Sequence, residues 1–186
     1  MALSYLLNNP LAFKWQHYKH VPSWILPYLC RSWVLDSGSL TRRLIDVSNG
    51  NFAVNVTFQG WDYPRLDELM ALNLSRKQKA LVREVELLCF GEVWVKARSI
   101  IPITTLSGEE RQLAYLGNRP LGAFLFSSRA MKRNDMEIAV ITGAKKQSIY
   151  GRRSCFLLHQ KPLLVSEIFM PRLFEFTKRG IDCGSF

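Results

Sequence analysis

Histidine is scarce in this chain, three among 186 residues, and the four cysteines, Cys30, Cys89, Cys155 and Cys183, lie far apart with no CxxC pair. That spacing argues against a zinc site and against a redox motif, and it leaves the thiols to be read as free side chains packed mostly in the core. His17 and His20, in HYKH, have no third ligand candidate nearby and read as a surface pair. No metal is expected.

Long apolar runs are also lacking. The opening MALSYLL carries no Lys or Arg ahead of it and is interrupted by Asn8, Asn9 and Pro10, so no secretory signal is visible. No apolar stretch approaches the ~20 residues that span a bilayer. These absences predict a cytoplasmic protein without an integral membrane segment. Acidic residues are the minority charge: Lys and Arg number 25 against 15 Asp and Glu, a formal charge of +10. The excess favours anionic partners. The basic residues are dispersed, as TRR at 41–43, SRKQK at 75–79, MKR at 131–133, GAKK at 143–146 and GRR at 151–153, with no helix-turn-helix pattern, RNP-type aromatic motif or basic tail. That layout points to small anions and not to nucleic acid.

No internal repeat, low-complexity tract or linker divides the sequence, so residues 1–186 are read as one domain. A chain of this length buries roughly 70% of the surface its unfolded form exposes, enough to enclose a pocket. Large apolar residues at helical spacing in SWILPYLCRSWVLD (23–36) and SLTRRLIDVS (39–48) predict two helices, and the alternation of Phe52, Val54, Val56 and Phe58 predicts a strand. Residues 61–79 read as a loop with a helical turn. ALVREVELLCFGEVWVKARSII (80–101) reads as a β-hairpin turning at Phe90 and Gly91. SGEERQLAYLG (107–117) has a capping-box pattern, Ser107 with Glu110, and predicts a helix of about three turns. MEIAVIT (136–142) and SCFLLHQKPLLVSEIFM (154–170) supply at least three further strands, the last two joined at 160–162. The sum is an α+β domain: an antiparallel β-sheet of about six strands, with helices and flaps over an internal ligand pocket.

Two charges fall on the wrong side of this pattern. Side chains alternate across a strand, so Arg83 shares a face with Val85, Leu87 and Cys89, while Glu84 and Glu86 point the other way. Glu167 is similarly aligned with Leu163, Val165 and Phe169 in KPLLVSEIFMP (161–171). An unpaired buried charge costs several kcal/mol, so each needs a partner. Two arrangements meet that need. The charges pair with each other or with backbone groups, or they line a cavity in which Arg83 grips a ligand carboxylate and Glu167 faces a hydroxyl or a transferable proton.

Five segments in series carry a resemblance: LDSGSLTRRL (35–44), REVELLCFGEVWVKARSIIPITTLSG (83–108), LGNRPLGAFLF (116–126), GRRSCFLL (151–158) and KPLLVSEIFMP (161–171). Together they resemble the chorismate lyase (chorismate pyruvate-lyase) family from about Trp24 to Pro171, leaving 1–22 and 172–186 uncovered. The resemblance implies a carbon–oxygen lyase that converts the small molecule chorismate to 4-hydroxybenzoate and pyruvate, the first committed step toward ubiquinone, without a cofactor. It implies catalytic roles for Arg83, on the ring carboxylate, and Glu167, at the hydroxyl end. It also implies that Leu40 and Leu121 line the pocket. Ala97 stands where family members often carry glycine, beside Arg98, and both are expected near the substrate. Arg98, Arg152 and Arg153 are open candidates for the enolpyruvyl carboxylate. A monomer is expected. The competing reading is a non-catalytic sensing domain for aromatic acids on the same fold.

Overall fold

Alternating apolar and polar residues build the first three long strands of the computed structural model, which describes residues 13–142 and 148–183. These are β2 (Phe52–Asp62), β3 (Ala80–Cys89) and β4 (Glu92–Pro102), preceded by a two-residue β1 (Gln16–His17). Four more follow: β5 (Met131–Arg133), β6 (Glu137–Thr142), β7 (Ser148–Leu158) and β8 (Lys161–Phe169). All pairings are antiparallel, in the order β1-β6-β7-β8-β4-β3-β2, with β5 also on β7. Six of the eight strands are long, as the sequence indicates. The other two, of two and three residues, are too short to display an alternation.

Both tight hairpins turn where two consecutive residues hold positive φ: Phe90 and Gly91 at 54° and 77°, His159 and Gln160 at 47° and 66°. Their backbone twist matches that of the flanking strands. The second turn is one residue earlier than the sequence suggests, and Pro162 lies inside β8, paired with Leu157. β8 meets β4 only from Leu164 onward, so the missing N–H at 162 breaks no ladder on that side.

The helices are α1 (Tyr28–Val34), α2 (Leu40–Val47), α3 (Leu66–Leu72), α4 (Leu121–Ser127) and α5 (Pro171–Cys183). The segment Gly108–Tyr115 is a 3-10 helix and not the capped α-helix expected, and the Ser107 side chain caps nothing. Glu110 is instead drawn into a tertiary clasp, bonded to Lys161 Nζ at 2.7 Å and His159 Nδ1 at 2.6 Å. Charged partners outweigh the local cap. The uncovered tail forms α5, whose Leu173 packs in a core with Trp33, Trp94 and Phe169. A second core joins Leu113, Leu121, Leu125, Phe156 and Val165, and α3 covers a third on the opposite side of the sheet through Leu72, Val82 and Ile100. Among the described residues no helix is long and apolar enough to cross a membrane.

Candidate active site

Strand register sets the floor of a cavity between the first two cores. One cross-strand row runs Arg83, Ser99, Val165, Ser154, and the next runs Val85, Ala97, Glu167, Arg152. Side chains directly opposite in a ladder stand on one face, so the two rows present their polar groups to the same space. The roof comes from α2 and α4 through Leu40, Thr41, Leu121 and Leu125. Gly122 permits this closure, because a Cβ there would meet Thr41 Oγ1 at 2.7 Å.

Arg83 is 2% exposed. Its guanidinium donates to Gln59 Oε1 at 2.6 Å and to the Arg119 carbonyl at 3.1 Å. Both acceptors are neutral, and among the described residues Arg83 has no carboxylate ion-pair partner. Burial pulls its pKa below the ordinary arginine value. Glu167 is bonded not to Arg83 but to Arg152, whose Nε donates to Oε2 at 2.5 Å. Arg152 is 1% exposed and also donates to the carbonyls of Asp36, at 2.6 Å, and Trp33, at 3.2 Å. The two sequence exceptions therefore do not neutralise each other. Arg133 of β5 also lines the cavity, held by Ser154 Oγ at 3.0 Å and the carbonyls of Ser37 and Asp36 at 3.3 and 3.4 Å. Burial, and secondarily the nearby Arg152 charge, push its pKa down to about 10.

Arg83, Glu167, Leu40, Leu121 and Ala97 are all brought together here. Arg98 is not. Its neighbours Ala97 and Ser99 face the cavity, so alternation turns Arg98 to the opposite face of the sheet. There it donates to Glu68 at 2.7 and 3.1 Å and to Glu84 at 2.7 Å. The expectation that Arg98 binds substrate is corrected accordingly. Arg153 is likewise turned away from Arg152, toward Asp67 and Glu137 at 2.7 Å each. Reading the sequence missed Arg133; the three-residue strand MKR is too short for its facing to be read.

The cavity measures about 50 Å³, against about 300 Å³ for a cleft on the opposite face beside Trp15, Lys96 and Arg98. Size does not decide between them. The cleft is lined by four carboxylates, Asp67, Glu68, Glu84 and Glu86, against three cations, Arg65, Lys96 and Arg98, and two of those cations are already engaged, Arg98 by Glu68 and Glu84 and Lys96 by Glu86 at 3.0 Å. In the smaller cavity, three guanidinium groups face one carboxylate, an excess of positive charge set among buried apolar side chains. Such a space stabilises an anion far better than an exposed surface does. Among the described residues no group of three or more His, Cys, Asp or Glu side chains is arranged to hold a metal.

An antiparallel sheet roofed by short helices over a cationic cavity with one carboxylate has the charge and shape to take a small anion. A profile of the chorismate lyase family matches residues 9–179. The chain belongs to that family, whose enzymes eliminate pyruvate from chorismate. It is 42% identical over 151 residues to the "Probable chorismate pyruvate-lyase" of Methylococcus capsulatus, covering 75% of this chain and 93% of that one. The protein of the same name from Coxiella burnetii is 36% identical over 171 residues, covering 86% and 92%. Among solved structures, a possible transcriptional regulator, YydK from Bacillus subtilis, aligns with a TM-score of 0.49 and 9% identity over 66% of this chain and 60% of that one.

Proposed function

We propose that this chain is a working chorismate lyase, with Arg83 and Glu167 as the residues that touch the reacting ring. The observation that carries the reading is Arg83: a buried guanidinium that lines the cavity and, among the described residues, has no carboxylate of its own. A ligand carboxylate supplies the missing charge through a two-pronged contact. Glu167 stands in the adjoining cross-strand row, two strands from Arg83, so a ring gripped by its carboxylate presents its far edge to Glu167. Beside Arg152, the Glu167 carboxylate accepts a hydrogen bond from the C4 hydroxyl. Leu40 and Leu121 close on the apolar ring faces, and Ala97 forms the floor beneath.

The reaction needs little more than this. The C4 hydrogen leaves as a proton and its bonding pair forms the third ring double bond. The C3–O bond breaks toward oxygen, and enolpyruvate takes a proton at its methylene carbon to become pyruvate. Aromatisation drives the step, so the protein's contribution is geometry and stabilisation of the negative charge that grows on the departing oxygen. The cationic cavity suits that charge, and Glu167 assists the proton transfer. We read the enzyme as a monomer and its location as cytoplasmic.

The test is to incubate purified protein with chorismate in buffer containing EDTA, following 4-hydroxybenzoate by chromatography and pyruvate by a coupled assay. Equimolar appearance of both is expected. Binding of 4-hydroxybenzoate without turnover would make the chain a sensor and overturn the proposal.

A further inference from the structure

The cavity's charges are not matched by one carboxylate. Of its three guanidinium groups, Arg152 is taken by Glu167, and the other two, Arg83 and Arg133, have only neutral acceptors among the described residues. Two uncompensated cations suit a dianion. They also lie at opposite ends: Arg83 is on β3, Glu167 on β8, and Arg133 on β5 beyond β7, with neighbouring strands about 4.8 Å apart. A ring anchored at Arg83 with its hydroxyl at Glu167 therefore directs the substituent next to that hydroxyl toward Arg133.

In chorismate that substituent is the enolpyruvyl ether, at C3 beside the C4 hydroxyl, and it ends in the second carboxylate. We propose that Arg133 is the specificity residue for that carboxylate, recognising substrate and not product. The inference rests on the lyase reading above. Arg152 is the poorer candidate because Glu167, Trp33 and Asp36 already engage it. Arg133 is held by Ser154 and by the Asp36 and Ser37 carbonyls, which fix its direction without cancelling its charge. Once the C3–O bond breaks, the carboxylate held by Arg133 belongs to pyruvate, and 4-hydroxybenzoate keeps only its contacts with Arg83 and Glu167. Substrate grip and product grip are thereby divided between different arginines.

Arg133→Met and Arg133→Lys separate the two grips. Chorismate KM and the Kd for 4-hydroxybenzoate, by calorimetry, are measured on each variant and on the wild type. Arg133→Met is expected to raise chorismate KM roughly 30-fold or more, as loss of one partner of a buried charged contact does. The product Kd stays within about twofold, and Arg133→Lys recovers part of the loss. A parallel fall in affinity for both ligands would make Arg133 a structural prop, and unchanged KM would remove it from the substrate; either result overturns the inference while leaving the lyase reading intact. Absence of chorismate turnover by the wild type would sink the lyase reading, and this inference with it.

Discussion

Arg83 and Arg98 sit on neighbouring strands, β3 and β4, yet opposite faces of the sheet give them opposite circumstances. Arg98 is surrounded by Glu68 and Glu84 at 2.7 Å and ties α3 to the sheet. Arg83 is more deeply buried and has a glutamine and a carbonyl for company. A paired buried charge is architecture, whereas an unpaired one is a binding site waiting for its counter-ion. The outer face offers the larger cleft, and the inner face offers the unmet charge. Chemistry, not volume, separates them.

Replacing each arginine by methionine, which keeps bulk and removes charge, is the most direct way to break this comparison. Arg83→Met is expected to lower chorismate kcat/KM by roughly 10²–10³-fold, with little change in Tm because loss of its hydrogen bonds to Gln59 and the Arg119 carbonyl is offset by removal of a buried charge that lacks an ion-pair partner among the described residues. Arg98→Met is expected to do the reverse: chorismate KM is kept, and thermal unfolding loses about 3 kcal/mol because Glu68 is left buried without its cation. A loss of catalysis in Arg98→Met equal to that in Arg83→Met would erase the distinction between the faces. Next in size, Glu167→Gln keeps the hydrogen-bonding shape and removes the charge; kcat should fall roughly 10²-fold, and Tm should fall as well because the buried Arg152 loses its carboxylate partner. Unchanged kcat would reduce Glu167 to a partner of Arg152.

The smallest effect concerns the cover over the inner face. Burial disfavours ionisation of Glu110, but its bonds to Lys161 and His159 outweigh this and bring its pKa from 4.5 to about 2. A carboxyl with a depressed folded-state pKa stabilises the fold above its unfolded value and loses that contribution as pH falls. The stability difference between wild type and Glu110→Gln should thus be full at pH 7 and shrink between about 4.5 and 2. A difference that does not vary with pH would mean that the clasp acts through packing and not through charge.

Much of the inner face was legible because strand alternation is strict. Arg83 and Glu167 announced themselves as charges in phase with apolar neighbours, and both do face the cavity. The same rule applied from Ala97 would have turned Arg98 outward, since adjacent residues of a strand cannot share a face. Resemblance drew attention to that position where periodicity argued against it. Arg133 escaped because β5 is three residues long and its role depends on pairing with β7, a contact between distant parts of the chain. The 3-10 segment escaped for a related reason: Glu110 answers to Lys161 and His159, about 50 residues away, and not to Ser107 beside it.

The central claim is that the ligand sits on the inner face, against Arg83. Calorimetric titration of 4-hydroxybenzoate into wild type, Arg83→Met and Arg98→Met tests it most directly, with melting curves to confirm that each variant is folded. The account predicts binding to wild type and Arg98→Met and none to Arg83→Met. Binding that survives in Arg83→Met and disappears in a folded Arg98→Met would move the site to the outer cleft and contradict the account.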